Sequence, residues 1–322
     1  MVATCSYEAR AFGVKSAMPA KTAYRLCPQA IFLPPRFDVY RAVSAQIMAI
    51  FKSVTSLVEP LSLDEAYLDI TSVVRDLPDA MQLASTIKQR IREETGLTAS
   101  AGVSFNKFLA KLASDAHKPD GLTLITPEQA PAFLDALPVE KFFGVGKVTA
   151  AVLREHGILS GADLRQMSEE QLRELLGSRG SFLYQYVCAE DERPVEAMRE
   201  RKSVGKEVTL ERDITDRGQV EAILGNLAEQ VERRLTDLEL SARTLSLKVR
   251  WSDFQLITRS VSRTQGFRYA REMLPVLQTL LSKLGSEKRA VRLLGVFVSN
   301  LRTARGEQLI ASITTLSLWD EH

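Results

Sequence analysis

The last third of the chain carries the strictest constraint: Leu245, Leu247, Val249 and Trp251 alternate with Ser246, Lys248 and Arg250. Successive strand side chains point to opposite faces, so this segment needs a sheet with one apolar face to cover and one polar to basic face left open. The flanking patterns supply the cover. Beyond Lys202 they predict a strand over Val204–Leu210, a helix over Val220–Leu238, strands over Thr244–Trp251 and Phe254–Val261, a helix over Phe267–Leu284 and a strand over Val291–Asn300. This βαββαβ order predicts a four-stranded antiparallel sheet with both helices on one face. Pro275 is expected to kink the second helix or to begin a new segment there.

Arg259 and Arg263 add charge near the open face of this ferredoxin-like module. The chain's net charge of +2 hides an asymmetry, because residues 201–302 hold 19 Lys and Arg against 12 Asp and Glu while residues 1–200 carry an acidic excess. A basic sheet surface suits a polyanion such as nucleic acid, through phosphate contacts and counterion release. A merely solvated sheet gives the same pattern, and charge alone does not separate the two.

At 322 residues the chain is long enough for several domains. Its 45% hydrophobic and 25% charged residues are an ordinary globular balance. No basic-flanked apolar core opens the chain and nowhere do 18 apolar residues run together, which predicts a cytoplasmic protein with no membrane span. Cys5, Cys27 and Cys188 are scattered and lack His partners, so they read as buried reduced thiols.

Up to Pro127 short β-like runs, Thr98–Val103 and Leu122–Ile125, alternate with helical stretches in an α/β or α+β texture. Leu83, Ile87 and Ile91 repeat every four residues within a helix expected over Met81–Glu94, with Gly96 as its stop, and that helix should cover a sheet face. From Pro127 to Ala189 the pattern becomes short helices broken by Gly144, Gly146, Gly157 and Gly161. The charged stretch Glu190–Arg201 contains Pro194 and lacks periodicity, so it reads as a linker.

Asp64 and Glu65 are adjacent acids inside the apolar run Pro60-Leu-Ser-Leu-Asp-Glu-Ala-Tyr-Leu-Asp-Ile70. Two unpaired carboxylates are costly to bury, so they stand either at a solvated hairpin tip or around cations. Neighbouring strand residues face opposite ways, so sharing a metal requires a turn or bulge at this point. Phe143-Gly-Val-Gly-Lys-Val-Thr149 reads either as a tight helical connection or as a Gly-x-Gly turn that offers backbone N–H groups to a phosphate.

The window Ser62-Leu-Asp-Glu-Ala-Tyr-Leu-Asp69 resembles the second palm motif of the Y-family DNA polymerases, bacterial polymerase IV type. The resemblance continues in order through Tyr7-Glu-Ala-Arg10, Phe12-Gly-Val-Lys-Ser-Ala-Met-Pro19, Ala99-Ser-Ala-Gly-Val103, Asn106-Lys-Phe-Leu-Ala-Lys111, Ala113-Ser-Asp115, Lys118-Pro119 and Arg201-Lys-Ser-Val-Gly205. It implies a multidomain right-hand polymerase: partial fingers over 1–34, palm over 35–126, thumb with a helix-hairpin-helix over 127–190, linker over 191–201, little finger over 202–302 and tail over 303–322.

It further implies translesion synthesis without proofreading on primer-template DNA and dNTPs, with two Mg²⁺ ions. Asp64 would bridge both ions, and Glu65 would bind the one that activates the primer 3′-hydroxyl. Tyr7, Arg10 and Lys118 align with triphosphate contacts. Gly144, Gly146, Lys147 and Thr149, together with Lys202, Ser203, Lys248 and Arg250, would hold DNA. Thr315-Leu-Ser-Leu-Trp319 resembles the sliding-clamp motif through Leu316, Leu318 and Trp319, with Thr315 where Gln is usual; the bland reading is a terminus folded onto its own domain. The protein is expected to be monomeric. Nothing before Tyr7 matches the family's first strand, whose Asp-x-Asp supplies another metal ligand, so about forty residues are expected to be missing and the palm sheet and metal site to be incomplete. The competing reading is a catalytically inactive truncated relative that binds DNA and the clamp.

Overall fold

The computed structural model describes residues 1–198, 200–285 and 289–303. They fall into two units, Met1–Ala197 and Met198–His322. The first unit opens with α1 (Tyr7–Ala11), α2 (Ala20–Leu26) and α3 (Phe37–Val54), then a short antiparallel pair, β1 (Val58–Pro60) and β2 (Ala66–Leu68). Next come α4 (Leu77–Thr95), β3 (Ala101–Ser104), α5 (Lys107–Ala116) and β4 (Leu122–Ile125).

The predicted helix around Leu83 is α4, and its ends follow local chemistry. Asp76 accepts the Asp79 N–H at 2.9 Å as N-cap, and Gly96, at φ 72°, returns its N–H to the Arg92 carbonyl. Strands β3 and β4 are parallel, with α5 as their crossover, and run Ala101↔Leu122 through Ser104↔Ile125. Gly102 lets β3 and α5 approach closely, since a Cβ there would stand 2.1 Å from the Ala110 carbonyl oxygen. The pairs β1–β2 and β3–β4 remain separate two-stranded sheets among the described residues, so β2 and β3 each keep an unpaired edge.

The glycine-broken stretch is helical as expected: α6 (Ala130–Asp135), a 3₁₀ turn at Val139–Lys141, α7 (Lys147–Glu155), α8 (Gly161–Arg165), α9 (Glu169–Leu176) and α10 (Ser178–Val187). Ser160 and Ser168 each cap the following helix in a reciprocal box with Asp163 and Gln171. These helices share one core with α5, in which Phe108, Leu109, Phe142, Leu153, Leu164 and Leu172 are fully buried.

The stretch read as a linker has no regular structure, but its first half is docked. The Asp191 side chain, 2% exposed, accepts the Phe108 N–H at 3.0 Å and pairs with Arg193 at 2.6 Å. Arg193 lies over the Tyr186 ring, which stacks on Phe108 at 4.2 Å. Lys107 donates to the Pro194 carbonyl at 2.8 Å and to Glu59 at 2.6 Å, and Glu59 accepts the Glu196 N–H at 2.9 Å. Residues 191–196 therefore form a strap pinned by buried polar groups.

The second unit runs β5 (Ser203–Ile214), α11 (Arg217–Asp237), β6 (Leu240–Trp251), β7 (Leu256–Phe267), α12 (Ala270–Ser282) and β8 (Val291–Thr303). The βαββαβ order stands, and every pairing is antiparallel. The ferredoxin-like strand order does not hold. That order would insert the third strand between the first and second, whereas the sheet reads β5-β8-β6-β7, with the fourth inserted. Composition explains the choice: β6 and β8 bury every core-facing residue, while β5 and β7 are largely polar and exposed and take the edges. Both helices pack on one face, with Leu224, Leu227 and Leu235 of α11 and Met273 and Leu277 of α12 against Leu245, Leu247, Val249 and Trp251. Pro275 neither ends α12 nor begins a new segment, because the helix continues to Ser282. The helix expected from Phe267 starts at Ala270, since Phe267 closes β7 as a buried strand residue.

Candidate active site and nucleic-acid surface

The two acids sit where β1 turns back into β2. The Leu61 N–H donates to the Glu65 carbonyl at 2.8 Å and the Ser62 hydroxyl to Asp64 Oδ1 at 2.6 Å, which closes a tight loop. The loop breaks strand alternation, and Asp64 and Glu65 line the same cavity of about 570 Å³. Tyr7 and Arg10 reach this cavity from α1, Lys111 from α5, and Lys118 from the loop before β4.

Sequence reasoning assigned no role to Lys107 and Lys111. They lie one turn apart on α5, the i, i+4 spacing that puts side chains on one helix face. Lys107 pairs with Glu59, and Lys111 pairs with Glu65 Oε1 at 2.5 Å, so α5 grips the hairpin at two points. Lys107 also stands over the Tyr67 ring, whose hydroxyl burial pushes up to about 12.

Burial would lower the ammonium pKa of Lys118, but its hydrogen bond to Asp115 at 2.6 Å and the charges of Asp115 and Glu65 carry it above the ordinary value. It is a committed cation. Arg10 leans over the Tyr7 ring at 5.9 Å, and Tyr7 is half exposed on α1.

Among the described residues no group of three His, Cys, Asp or Glu could hold a metal. Two adjacent carboxylates nonetheless fit a hard divalent cation, because Mg²⁺ takes one or two carboxylates and completes its shell with water and phosphate oxygens. The donor set thus suits a metal that arrives with a triphosphate.

The sites expected for DNA divide. Gly144, at φ 83°, and Gly146, the N-cap of α7, form an exposed turn with Lys147 beside it. Thr149, by contrast, is only 9% exposed in the first turn of α7. Lys202 and Ser203 are exposed where β5 begins. Register puts Thr244, Ser246, Lys248 and Arg250 on the open face, opposite Ser262, Ser260, Thr258 and Leu256. This face is rich in hydroxyls rather than plainly basic. Lys248 is paired with Glu207 at 2.6 Å, and Arg259, exposed on the edge strand β7, lies by register on the Leu247 face rather than beside Lys248. Leu316, Leu318 and Trp319 lie outside the described residues. No described helix is long and apolar enough to cross a membrane.

Three sequence profiles match: the impB/mucB/samB family over residues 1–115, its HHH motif over 127–158 and its C-terminal domain over 201–310. A DNA polymerase IV of Alkalilimnicola ehrlichii is 51% identical over 308 residues, covering 96% of this chain and 86% of that protein. One from Clostridium perfringens is 48% identical over 301 residues, covering 94% and 84%. Among solved structures, a Y-family polymerase chimera of Dbh and Dpo4 superposes with a TM-score of 0.84 at 30% identity, covering 94% of this chain and 87% of that one. An insertion ternary complex of Dbh DNA polymerase superposes with a TM-score of 0.62 at 28% identity, covering 92% and 86%. Polymerases of this kind act on DNA and nucleotides with divalent metals, and the comparisons support that reading over the inactive alternative. The chain belongs to the impB/mucB/samB family and is a Y-family DNA-directed DNA polymerase of the DinB, polymerase IV, type.

Proposed function

We propose that the cavity around Asp64 and Glu65 is where this polymerase joins a dNTP to a primer end during synthesis across damaged template, with two Mg²⁺ ions. The observation that carries this is the convergence on one cavity of Tyr7, Arg10, Asp64, Glu65, Lys111 and Lys118, drawn from four separate segments. Nucleotidyl transfer is an in-line displacement at the α-phosphorus, and bound divalent ions would stabilise the attacking and leaving oxygens. Asp64 and Glu65 supply the carboxylates for those ions. Lys111 holds Glu65 from the protein side and so fixes which way its carboxylate faces. Arg10 offers a forked donor and Lys118 a compact charge to the triphosphate, with the Tyr7 hydroxyl beside them. Together they stabilise the charge that grows on the leaving pyrophosphate.

The Gly144–Lys147 turn would hold a backbone phosphate of the DNA, and Lys202, Ser203, Lys248 and Arg250 would follow the duplex, with 1–34, 35–126, 127–190 and 202–302 as fingers, palm, thumb and little finger. The protein would act as a cytoplasmic monomer and engage the sliding clamp through Leu316, Leu318 and Trp319; deleting the last ten residues should abolish clamp binding measured by surface plasmon resonance. For the active site the decisive experiment is Mg²⁺-dependent primer extension by Asp64→Ala and Glu65→Ala. Each should lose extension by more than about a thousandfold while duplex affinity stays within about twofold. Undiminished extension by either variant would overturn the assignment.

A further inference from the structure

Lys118 reaches the cavity from residues 117–121, a stretch outside any helix or ladder. A phosphate-binding cation works only if it is held in place, because orienting a loose one costs free energy on every binding event. The two ends of the loop are braced. His117 Nδ1 lies 2.9 Å from the Thr123 hydroxyl, Lys118 pairs with Asp115, and the Gly121 carbonyl accepts the Ala101 N–H at 2.9 Å. Its middle is Asp120, at φ 57° in the left-handed region, which aspartate enters more readily than most residues other than glycine.

Two side chains of α4 hold it there. Lys88 donates to the Asp120 carbonyl at 2.6 Å and lies 3.2 Å from its carboxylate, so one ammonium grips both backbone and side chain. Arg92, one turn further along, stands 3.6 Å from the other carboxylate oxygen. The Lys88 side chain is 15% exposed and lines the same cavity as Lys118, Asp64 and Glu65. An exposed ion pair holds little, and the Asp120 carboxylate is 40% exposed; the grip comes from the shielded Lys88 ammonium, which bonds the carbonyl as well.

We infer that Lys88 is a positioning residue for triphosphate binding: by clamping Asp120 it fixes the loop that presents the Lys118 ammonium. The inference rests on the assignment of Lys118 to the triphosphate.

Steady-state primer extension by the full chain, with KM for dNTP and kcat measured separately, tests both. Lys88→Met should raise KM about tenfold while kcat falls less than about twofold. Lys88→Arg, which keeps charge and donors, should recover most of the loss. Lys118→Ala should raise KM at least as much, and adding Lys88→Met to it should change little further, since both act through one contact. A KM for Lys88→Met within about twofold of the parent, beside a raised KM for Lys118→Ala, would overturn the positioning role alone. So would a fall in kcat at constant KM, or multiplying effects in the double variant. An unchanged KM for Lys118→Ala would overturn the underlying assignment and the inference with it.

Discussion

A single hydrogen atom sets how close α5 lies to β3. At Gly102 a methyl group would enter the Ala110 carbonyl, which is backbone and cannot rotate aside. Gly102→Ala should therefore destabilise the first unit by about 1–3 kcal/mol, read as a lower urea midpoint. The acid pair was legible in the sequence, because two carboxylates in an apolar run need either water or a cation. The loop that turns both into one cavity was not legible, since it depends on Leu61 meeting the Glu65 carbonyl. The partners of the basic positions were hidden for a similar reason. A count of Lys and Arg cannot see that Lys248 is paired with Glu207, Arg289 with Asp253 and Arg292 with Asp213. Nor can a motif show that Thr149 turns inward.

Elements whose pattern is local were readable in advance: α4, the helices after Pro127, and the alternation of β6. Strand order was not, because the choice between β7 and β8 as a neighbour of β5 is made by non-local pairing. The strap over residues 191–196 was missed because its anchors, Phe108, Lys107 and Glu59, lie far away in sequence. Asp191→Ala should cost about 1–3 kcal/mol, because the Phe108 N–H loses its acceptor; the abandoned Arg193 is nearly half exposed and stays solvated. Burial would raise the Asp191 carboxyl, but the Arg193 bonds outweigh it and hold it below its ordinary value. Its stabilisation is thus complete above a pH of about 3.9 and lost as pH falls through the lower folded value. Denaturation from pH 7 to 3 should show the gap between parent and Asp191→Ala persisting to about pH 4 and closing only below it.

Over the whole molecule, the basic excess of residues 201–302 predicts that affinity for DNA depends on ionic strength. Duplex binding by the full chain, measured by fluorescence anisotropy, should weaken linearly in a plot of log affinity against log salt, equally for unrelated sequences. Lys202→Ala should reduce the slope by about one. Affinity that does not change with salt would remove the polyanion reading of this segment.

The pinned strap bears on reach. With residues up to Ala197 belonging to the first unit, only Met198 to Lys202 lead to β5. Fully stretched, they span about 17 Å. A tether that short raises the effective concentration of one unit at any surface the other engages.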